Sequence, residues 1–431
     1  MTAFYARHRL IILICIAAFL LRLAYRLATG QEEFWSNSYY FFYELSHNLI
    51  AGKELTLSQP LLAAVRRPPA YPLFLVPAVL LGGNYLYIVV PQALIGAGTV
   101  LCAFLIGREL FSPLAGLLAA ALTAIYPYYV VHDTALQETG LLTFCLALSV
   151  WLLLVVRVST APRLWLVAGA MLGLSVMVRT TAAPFALGAV VWVWLFGIGP
   201  PRQRTARALT LLGCIALIAG AWVIRNAEVV GRPVLDSGAG ASFWAAHNPQ
   251  TFSRYPAGTI DASIEQAFDA MSPADRKKLQ GFSGDEFARD EWYLARGQAY
   301  LSQQKLGEKL TEAGRKVLAG FSWVLVPEKP GLTQLIYFLS YTPILVLGLA
   351  GMALTWRDWR RHSLIYLQFL IFITISAVMW AHTNHRAPLD IYLIIFSAAV
   401  LDRFCIRRDS HKTRFGGSLG IKRADQPISL R

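Results

Sequence analysis

Charged residues are scarce in this 431-residue chain, and hydrophobic residues dominate it. Only 15% of the residues are charged and 56% are hydrophobic, whereas an average soluble domain carries about 25% charged residues. This composition excludes an ordinary soluble enzyme. The hydrophobic residues fall in runs of about 16 to 22 residues, the length that a helix needs to cross a hydrocarbon core ~30 Å thick. The sequence therefore predicts an all-α polytopic membrane protein.

Cysteine is also rare, and acidic residues are fewer than basic ones. The five cysteines lie within or at the end of hydrophobic runs without the spacing of metal ligands, so we expect them to serve in packing, and a disulfide framework is not indicated. The chain has 39 Lys and Arg residues against 25 Asp and Glu residues, a net charge of +14. Much of this excess lies in short loops and in the C-terminal tail, where the positive-inside rule accounts for it. We therefore predict no nucleic-acid partner.

Ten hydrophobic runs predict ten spanning helices. The first, about 10–28, has no small-residue cleavage site and follows a basic N-terminus, so we interpret it as a retained helix with a cytoplasmic N-terminus. The others cover about 85–106, 114–130, 139–156, 164–179, 182–198, 209–225, 333–354, 363–381 and 388–404. No internal repeat is visible.

The segment Ala70–Leu81 is the one ambiguous run. It is about twelve residues long and contains Pro72 and Pro77, features of a re-entrant or interfacial segment. If it does not cross, all the basic interhelical loops face the cytoplasm; these loops carry Arg108, Arg157, Arg163, Arg202, Arg204, Arg207, Arg357, Arg360, Arg361, Arg403, Arg407 and Arg408. We therefore predict a juxtamembrane segment and two large outer loops.

These loops divide the chain into four parts. We predict an N-terminal transmembrane module over 1–225 with its first outer loop at 29–81, an extracytoplasmic subdomain over 226–332, C-terminal transmembrane helices over 333–404 and a basic cytoplasmic tail over 405–431. Within the second loop, 261–316 is densely charged and has apolar residues at helical spacing, which predicts a small helical subdomain. The apolar residues are Phe287, Trp292, Leu294, Tyr300, Leu306, Leu310 and Val317.

Carboxylates are few in the outer half of the chain. The first outer loop offers Glu32, Glu33, Glu44 and Glu54, and the loop between the third and fourth spans offers Asp133 and Glu138. A carboxylate at a membrane boundary can act as general base on a hydroxyl nucleophile, or can be a solvated loop charge. We predict Glu138, Asp133 and Glu44 as candidate catalytic residues. Glu138 begins a hydrophobic run, which favours its burial.

Arginines gather on the same predicted side, opposite the side that the positive-inside rule favours. They are Arg66, Arg67, Arg179, Arg225 and Arg386. A guanidinium matches the oxygens of a phosphate, although an arginine at a helix end can also be an interfacial residue. The arginines together predict an anionic ligand at this face. His382 and His385 share the last outer loop, but two imidazoles without a nearby carboxylate are a poor metal set, and we predict no metal site.

Aromatic residues crowd the start of the first outer loop. They are Phe34, Trp35, Tyr39, Tyr40, Phe41, Phe42 and Tyr43. We interpret most of them as the belt of an interfacial helix, although some could line a sugar or lipid site.

In the order of these features the chain resembles integral-membrane glycosyltransferases of the GT-C fold, in the branch around dolichyl-phosphate-mannose–protein mannosyltransferases and the lipid A aminoarabinose transferase. The matching stretches include "YYFFYELSHNLIAGKEL", "RRPPAYPLFLVPAVL", "YPYYVVHDTALQETGLL", "MVRTTAAPFAL", "AWVIRNAEVVGRPVLDSGAGASFWAAHNPQ" and "HRAPLDIYLIIFSAAVL". The stretch around "WVIRN" with the following "HNP" is the most specific.

The resemblance implies transfer of a sugar from a polyprenyl-phosphate donor to a lipid, glycan or protein acceptor, with inversion. It also implies the bacterial cytoplasmic membrane as location, an extracytoplasmic active site and a place in envelope assembly. It implies no bound cofactor, although some relatives use a divalent cation. The substrate-binding residues that we predict are Arg66, Arg67, Arg225, Asn226, Arg386, Asn37, Ser38 and Tyr71.

The chain departs from the family pattern where an Asp is expected. Asn37 and Ser38 stand upstream of "YYFFYELSHNL", and neither is an effective base at neutral pH. A relocated base, another acceptor or a loss of transfer activity would each account for this. The competing functions are a transporter or flippase for a polyprenyl-linked substrate and an inactive scaffold in envelope polysaccharide assembly. Clustering of charge at the membrane faces and the absence of a visible repeat favour the enzyme.

Overall fold

A computed structural model describes residues 2–36, 39–53, 55–57, 62–63, 67–157, 161–256, 258, 260–282, 284–324, 331–379 and 382–415. Across these residues the chain is almost entirely helical. The helices are α1 (Thr2–Trp35), α2 (Phe41–Ile50), α3 (Ala70–Leu80), α4 (Leu86–Leu110), α5 (Pro113–Ile125), α6 (Pro127–His132), α7 (Thr139–Val156), α8 (Pro162–Val178), α9 (Ala183–Phe196), α10 (Pro201–Val230), α11 (Ala239–Ala246), α12 (Ile260–Asp269), α13 (Pro273–Gly281), α14 (Glu286–Gln303), α15 (Leu306–Gly320), α16 (Gly331–Leu354), α17 (Trp359–Val378) and α18 (Thr383–Phe415). Short 3₁₀ turns cover Thr180–Ala182 and Trp356–Asp358.

The predicted class, an all-α polytopic membrane protein, is confirmed. Each of the ten expected spans falls on a helix, namely α1, α4, α5, α7, α8, α9, α10, α16, α17 and α18. Within the described residues, six segments have the length and composition to cross a membrane: Arg9–Trp35, Leu86–Leu110, Thr139–Val156, Pro201–Val230, Gly331–Leu354 and Trp356–Val378. Helices α5 and α8 and the segment Thr180–Phe196 are shorter and apolar.

The first helix extends beyond the predicted run, up to Trp35, and it is broken at Gly30. Gly30 has a φ of 78°, a left-handed conformation that glycine adopts without the steric cost of a Cβ. Helix α3 has only eleven residues and contains Pro77. At 1.5 Å per residue it is roughly 16 Å long, about half of what a crossing requires. Its length agrees with the predicted juxtamembrane segment.

A short antiparallel hairpin interrupts the helical pattern between α2 and α3. Thr56–Leu57 pairs with Leu62–Ala63. The sequence analysis missed this pair, because strands of two residues leave no period that a pattern can reveal. Asn48 donates its side-chain amide to the carbonyl of Thr56 over 2.7 Å, which holds the hairpin against α2.

Helix α18 lies at the centre of the bundle, where it packs against α4, α5, α7 and α16. Its residues from Ala387 to Val400 are buried on every face. Gly348 and Gly351 of α16 allow close approach, because a Cβ at Gly348 would lie 2.8 Å from the Leu393 carbonyl oxygen and one at Gly351 would collide with the Phe396 carbonyl. Small residues serve the same purpose in many membrane bundles.

The helical subdomain predicted over 261–316 is present as α12 to α15. Its small core contains Trp244, Ala267 and Tyr293, of which the sequence analysis had named none. Leu306 and Leu310, expected to be core residues, are 71% and 65% exposed. Helix α15 packs against α17 and α18, and its buried residues lie near its C-terminal end. Leu306 and Leu310 lie near its N-terminal end and therefore stay exposed.

A buried lysine joins α15 to the end of α11. Lys316 Nζ donates to Nε2 of His247 over 3.0 Å, and His247 Nδ1 donates to the Phe243 carbonyl over 3.0 Å. Both side chains are buried. Burial lowers the pKa of Lys316 to about 8 and also lowers the pKa of His247. The charged lysine is therefore held in this core against its preference for water.

We expect this lysine to make stability depend on pH. Between about pH 8 and the ordinary lysine pKa of 10.5, the unfolded chain holds a proton that the folded chain has lost, so stability rises with pH. Lys316→Met, which keeps the length of the side chain, should remove that rise. Thermal unfolding of both proteins across pH 7.5–10.5 measures it. An undiminished rise in the variant would show that another group causes it.

Candidate functional site

A cavity of about 400 Å³ opens at the end of the bundle where α7 begins, α8 ends and α18 begins. The Arg67–Pro68 turn before α3 and the 236–242 segment before and within α11 complete its wall. Adjacent antiparallel helices bring these termini to one face of the bundle. The ionisable side chains that line the cavity, besides Tyr39, are Arg67, Glu138, Arg179, Asp236, Asp261, His382 and His385.

Glu138 and Arg179 form an ion pair in this cavity. Arg179 donates from Nη2 and from Nε to the same oxygen of Glu138, Oε1, over 2.7 and 3.1 Å. Arg179 Nη2 also lies 3.3 Å from the hydroxyl oxygen of Thr139. Glu138 is 3% exposed, and its second oxygen, Oε2, is buried with no hydrogen-bond partner among the described residues. One carboxylate oxygen is therefore fixed by a cation while the other keeps its capacity to accept a proton.

The ends of two helices create this pair. Glu138 immediately precedes α7 and Arg179 immediately follows α8, and the two helices pack side by side. At Arg179 the backbone turns from helical to extended (φ −154°, ψ 125°) before the 3₁₀ turn. This turn points the long side chain back towards the start of α7. The prediction that Glu138 would be buried is confirmed by its 3% exposure.

Arg67 supplies a second guanidinium to the cavity. It is half-buried, and its guanidinium carbon lies 5.0 Å from the centre of the Phe41 ring. Stacking on an aromatic ring fixes the plane of a guanidinium, and its N–H groups donate within that plane. Arg67 and Arg179 thus line one cavity together with the buried Glu138 carboxylate.

Acidic residues of α14 fix the wall opposite the helix ends. The two carboxylate oxygens of Asp290 accept from the backbone amides of Gly240 and Ala241, each over 2.8 Å, and Glu286 accepts from the hydroxyl of Ser237 over 2.8 Å. A Cβ at Gly240 would collide with the carbonyl of Asp290, which explains the glycine in "GAGA". The subdomain therefore forms part of the cavity wall.

Asp236 and Asp261 are cavity residues that the sequence analysis had not singled out. Asp236 accepts a short hydrogen bond from the hydroxyl of Thr180, and Asp261 Oδ2 lies 4.0 Å from Nε2 of His382. Asp236 directly precedes the Gly-rich segment, and this was the sequence feature that could have indicated its position near the site. Burial, together with Arg386 and Arg179, lowers the pKa of His382, while Asp261 opposes this shift. His382 is therefore neutral near pH 7.

The cavity residues do not form a ready metal site. Across the described part of the chain there is no group of three or more His, Cys, Asp or Glu side chains placed to hold a metal ion. The 4.0 Å pair of His382 and Asp261 falls short of the three protein ligands that a catalytic zinc site uses. The expectation of no cofactor stays a prediction.

Asp133 lies in a separate, buried ion pair. Its Oδ2 accepts from Arg22 Nε over 2.8 Å, and both side chains are buried. Arg22 also donates to the carbonyls of Ala18 and Ala124 over 3.2 and 3.3 Å. Gly96 makes room for the pair, because a Cβ there would collide with Arg22 Nε. Burial raises the pKa of Asp133, and Arg22 opposes the shift. This arrangement joins α1, α4 and α5 and points to a structural role.

Arg386 is likewise engaged inside the bundle. Its Nε donates to Asp390 Oδ1 over 2.8 Å, and its Nη2 donates to the hydroxyl of Tyr337 over 2.8 Å. The ring centre of Tyr341 lies 3.7 Å from the guanidinium carbon. With Arg386 fully buried and its donors used, the structure does not bring it to the cavity as a phosphate ligand. Asp390 escaped notice because it lies inside a hydrophobic run.

The other predicted residues lie around the cavity or outside the described residues. Tyr71 is fully buried with its ring 4.9 Å from that of Phe42. Glu44 is half-buried in the first turn of α2 and does not line the cavity. Asn226 is buried and donates to the Val234 carbonyl over 2.8 Å, which positions the segment leading to Asp236. Three predicted residues lie outside the described residues: Asn37, Ser38 and Arg66.

Arg225 lies in a second cleft. Its guanidinium carbon is 4.8 Å from the ring centre of Trp222, and its Nη1 donates to Asn226 Oδ1 over 3.1 Å. The cleft, of about 770 Å³, is bounded by α2, α3, α8 and α10. The structure therefore separates Arg225 from Arg67 and Arg179, with which it was predicted to share one ligand.

Comparisons with known proteins support the resemblance on which the sequence analysis relied. A family model described as dolichyl-phosphate-mannose-protein mannosyltransferase matches residues 66–224. No curated protein sequence matches the chain. The matched segment contains Arg67, Glu138 and Arg179, three of the residues that line the cavity.

Among solved structures, the chain is similar to an oligosaccharyltransferase from Archaeoglobus fulgidus. With the acceptor-peptide-tethered form it shares 12% identity and a TM-score of 0.56 over 95% of this chain and 51% of that one. With AglB from the same organism, in complex with an inhibitory peptide and a dolichol-phosphate, it shares 15% identity and a TM-score of 0.52 over 96% and 52%. ArnT from Cupriavidus metallidurans, bound to undecaprenyl phosphate, gives 15% identity and a TM-score of 0.35 over 86% and 74%.

The likeness to the archaeal oligosaccharyltransferase structures establishes the fold. The predicted resemblance to GT-C glycosyltransferases is confirmed by the family model and the archaeal structures. The chain spans about half the length of the oligosaccharyltransferase chains that it matches.

We expect Asp133→Asn to damage folding rather than chemistry. It leaves the charge of Arg22 buried without its partner, and breaking a buried pair from one side typically costs about 3–5 kcal/mol. Combining it with Arg22→Met, which removes the charge, should restore most of the stability. Thermal stability and yield of the folded protein measure both effects. A stable Asp133→Asn protein that has lost sugar transfer would instead assign Asp133 to the reaction.

Proposed function

We propose that the protein is a glycosyltransferase that moves a sugar from a polyprenyl-phosphate donor to a hydroxyl of an acceptor, with inversion at the anomeric carbon. The observation that carries the proposal is a cavity lined by two guanidiniums, those of Arg67 and Arg179, and by the buried carboxylate of Glu138. The guanidiniums can bind a phosphate ester, and the carboxylate can take the proton of a hydroxyl nucleophile. The mannosyltransferase family model over residues 66–224 supports the same reaction class.

Arg67 and Arg179 are the donor-phosphate ligands in this proposal. When the bond between the sugar and the phosphate breaks, negative charge grows on the phosphate oxygens. Fixed cations stabilise that charge more in the transition state than in the ground state, which lowers the barrier. Arg179 is already oriented by its two hydrogen bonds to Glu138, and Arg67 is oriented by its stacking on Phe41.

Glu138 is the general base. The acceptor oxygen attacks the anomeric carbon from the face opposite the phosphate, and its proton passes to Oε2 of Glu138. The carbon–oxygen bond to the phosphate breaks, and the electron pair leaves with the polyprenyl phosphate. The new bond joins the anomeric carbon to the acceptor oxygen. Because Arg179 binds Oε1, Oε2 is the oxygen that takes the proton.

The lipid part of the donor fits a side cleft of the cavity. This cleft, of about 590 Å³, shares Thr180, Thr181, Asp236 and Ile375 with the cavity and is continued by Pro184 and Val223. It lies between α9, α10 and α17, three helices whose outer faces carry exposed apolar residues. A prenyl chain in the membrane can therefore lie beside the helices while its phosphate reaches Arg179.

We expect Glu138→Gln to lose at least two decades of turnover, because a positioned general base contributes about 10²–10⁴-fold. Glutamine keeps the shape of the side chain but does not take the proton. Glu138→Asp should retain part of the activity. Single-turnover transfer and equilibrium binding of the donor, measured on the same purified protein, separate the chemical step from binding.

Glu291→Gln is the matched control, since Glu291 is an exposed residue of α14 paired with Arg232. It should transfer at the wild-type rate. Wild-type turnover in the Glu138→Gln protein would show that Glu138 is not the general base. If the wild type cleaves no donor from a panel of polyprenyl-phosphate sugars, the inactive scaffold becomes the better account.

We further propose that the protein resides in the bacterial cytoplasmic membrane, with the cavity and the subdomain on the outer side. The supporting observation is the end of the bundle opposite the cavity, where arginines bind helix ends. Arg204 and Arg207 donate to carbonyls at the end of α9, and Arg361 donates to the carbonyl of Glu109. The positive-inside rule assigns such an end to the cytoplasm.

A single cysteine at Lys278, which is exposed on α13, should react with a membrane-impermeant thiol reagent added to intact cells. The positive-inside rule predicts this outer location. A cysteine at the exposed Arg202 on the opposite end is the matched control and should react only after permeabilisation. The reverse pattern would invert the topology and place the cavity in the cytoplasm.

A further inference from the structure

The cleft that holds Arg225 has the form of a lipid site. Its walls are apolar and come from α3, α8 and α10, with Leu73, Leu174, Ile218 and Trp222 among them. Its volume is about 770 Å³. Leu73 and Leu174 are exposed, so the cleft opens sideways along the bundle. We call it the Arg225 groove.

The charge of the groove is confined to its outer end. Arg225 lies one helical turn above Trp222, against whose ring it stacks, and Asn226 accepts one of its hydrogen bonds over 3.1 Å. The hydrophobic run of α10 ends at about residue 225, which puts the guanidinium near the level of lipid headgroups. Glu228, also on the rim, is exposed to solvent. An apolar chain with an anionic headgroup complements this arrangement.

The groove and the cavity share a thin wall. Pro68 lines the cavity and the next residue, Pro69, lines the groove; at the end of α8, Val178 lines the cavity and Met177 lines the groove. The groove and the cavity are therefore neighbours at these two places. The side cleft proposed for the donor lies across α10, where Val223 lines it.

We propose that the Arg225 groove binds the acceptor, and that the acceptor is a membrane lipid with an anionic headgroup that bears a hydroxyl. This inference rests on the proposed transferase function and adds the chemical class of its second substrate. The Arg225 guanidinium binds the headgroup anion, the apolar walls bind the chains, and the headgroup hydroxyl reaches Glu138 at the boundary that the groove shares with the cavity. A soluble glycan or a protein has no need of an apolar groove of this size.

The geometry of an inverting reaction fits two lipids on opposite sides of α10. The attacking oxygen and the leaving phosphate must lie on opposite faces of the anomeric carbon. Donor and acceptor therefore approach from different directions, the donor through the cleft at α9 and α17 and the acceptor through the groove at α3 and α8. Arg67 and Arg179 hold one anion and Arg225 holds the other, which explains why the outer arginines divide into two groups.

Lipid binding tests the groove first. The probe is phosphatidylglycerol, an anionic lipid with a hydroxylated headgroup, offered with phosphatidylcholine in nanodiscs that contain the full-length protein. Native mass spectrometry of the released protein counts the retained lipids. The wild type should retain phosphatidylglycerol selectively. Arg225→Ala should reduce that retention about tenfold or more, since one charge-assisted contact is lost, and Ala221→Trp should reduce it by filling the groove.

Two matched variants keep this test specific. Ile224→Trp introduces the same side chain at a site of α10 that is 61% exposed outside the groove, and Arg232→Ala removes an exposed arginine that pairs with Glu291. Both should retain phosphatidylglycerol like the wild type. Equal retention in all five proteins would overturn the groove as a lipid site.

Transfer tests the acceptor role. Membranes of the native host, given a polyprenyl-phosphate sugar labelled in the sugar, should yield label in a second, organic-soluble lipid, and Ala221→Trp and Arg225→Ala should raise the KM for that lipid. Donor cleavage with label only in soluble glycan or protein would overturn the inference and leave the proposed function intact. Absence of donor cleavage in the wild type would refute the proposed function, and the acceptor role would fall with it.

Discussion

A charge buried inside an apolar helix bundle is costly without an opposite charge beside it, and this constraint organises most of the buried charges of the molecule. Removing a lone ion from water costs several kcal/mol even in relaxed protein interiors. Among the described residues, three ion pairs in the bundle have both side chains largely buried: Arg22 with Asp133, Arg179 with Glu138, and Arg386 with Asp390. The pairs of Arg22 and Arg386 are enclosed: Arg22 of α1 binds Asp133 after α6, and Arg386, one helical turn from Asp390 on α18, also binds Tyr337 of α16. The third opens on the cavity.

Contact with the cavity distinguishes the one ion pair that is a candidate for chemistry from the two that have a structural role. The Arg22 and Arg386 pairs are enclosed by helices and accept no further ligand, so their partners are fixed. The Arg179 and Glu138 pair is also short, with 2.7 Å between Nη2 and Oε1, but Arg179 is only half-buried and Oε2 of Glu138 has no hydrogen-bond partner among the described residues. An ion pair that stabilises the bundle can therefore also act on a ligand where it borders a cavity.

The sequence predicted the positions of the apolar helices, because an apolar run of about 18 residues has the length of a membrane crossing. Of the ten predicted spans, six coincide with described segments that are long and apolar enough to cross. The sequence also predicted that α3 would be too short to cross and that Glu138 would be buried. It could not divide the outer arginines, since position along the chain does not reveal which side of α10 Arg225 faces. The pairing of Asp133 with Arg22 depends on helix packing, which the sequence does not reveal. Asp390, four residues after Arg386, lies inside a hydrophobic run and was not recognised as its partner. Asp290, which caps α11, lies fifty residues from Gly240 and gave no local signal.

The side cleft of the cavity and the Arg225 groove lie on different sides of α10, so the proposed donor and acceptor approach the site from different directions. The cavity and its side cleft contain Arg67, Arg179 and Glu138, and the Arg225 groove lies behind the wall of Pro68 and Val178. The subdomain completes the cavity through Asp290 and Glu286, which bind the segment after Asp236. Donor binding, acceptor binding and the base are thus assigned to different helices that meet at one face.

The central claim is that this cavity cleaves a polyprenyl-phosphate sugar. The most direct measurement incubates the purified protein, reconstituted in lipid, with a panel of polyprenyl-phosphate sugars and follows the release of polyprenyl phosphate. The account predicts release from at least one donor, with an inverted anomeric carbon in the transferred sugar. Release of no lipid phosphate from any donor, or a product with retained configuration, would contradict it.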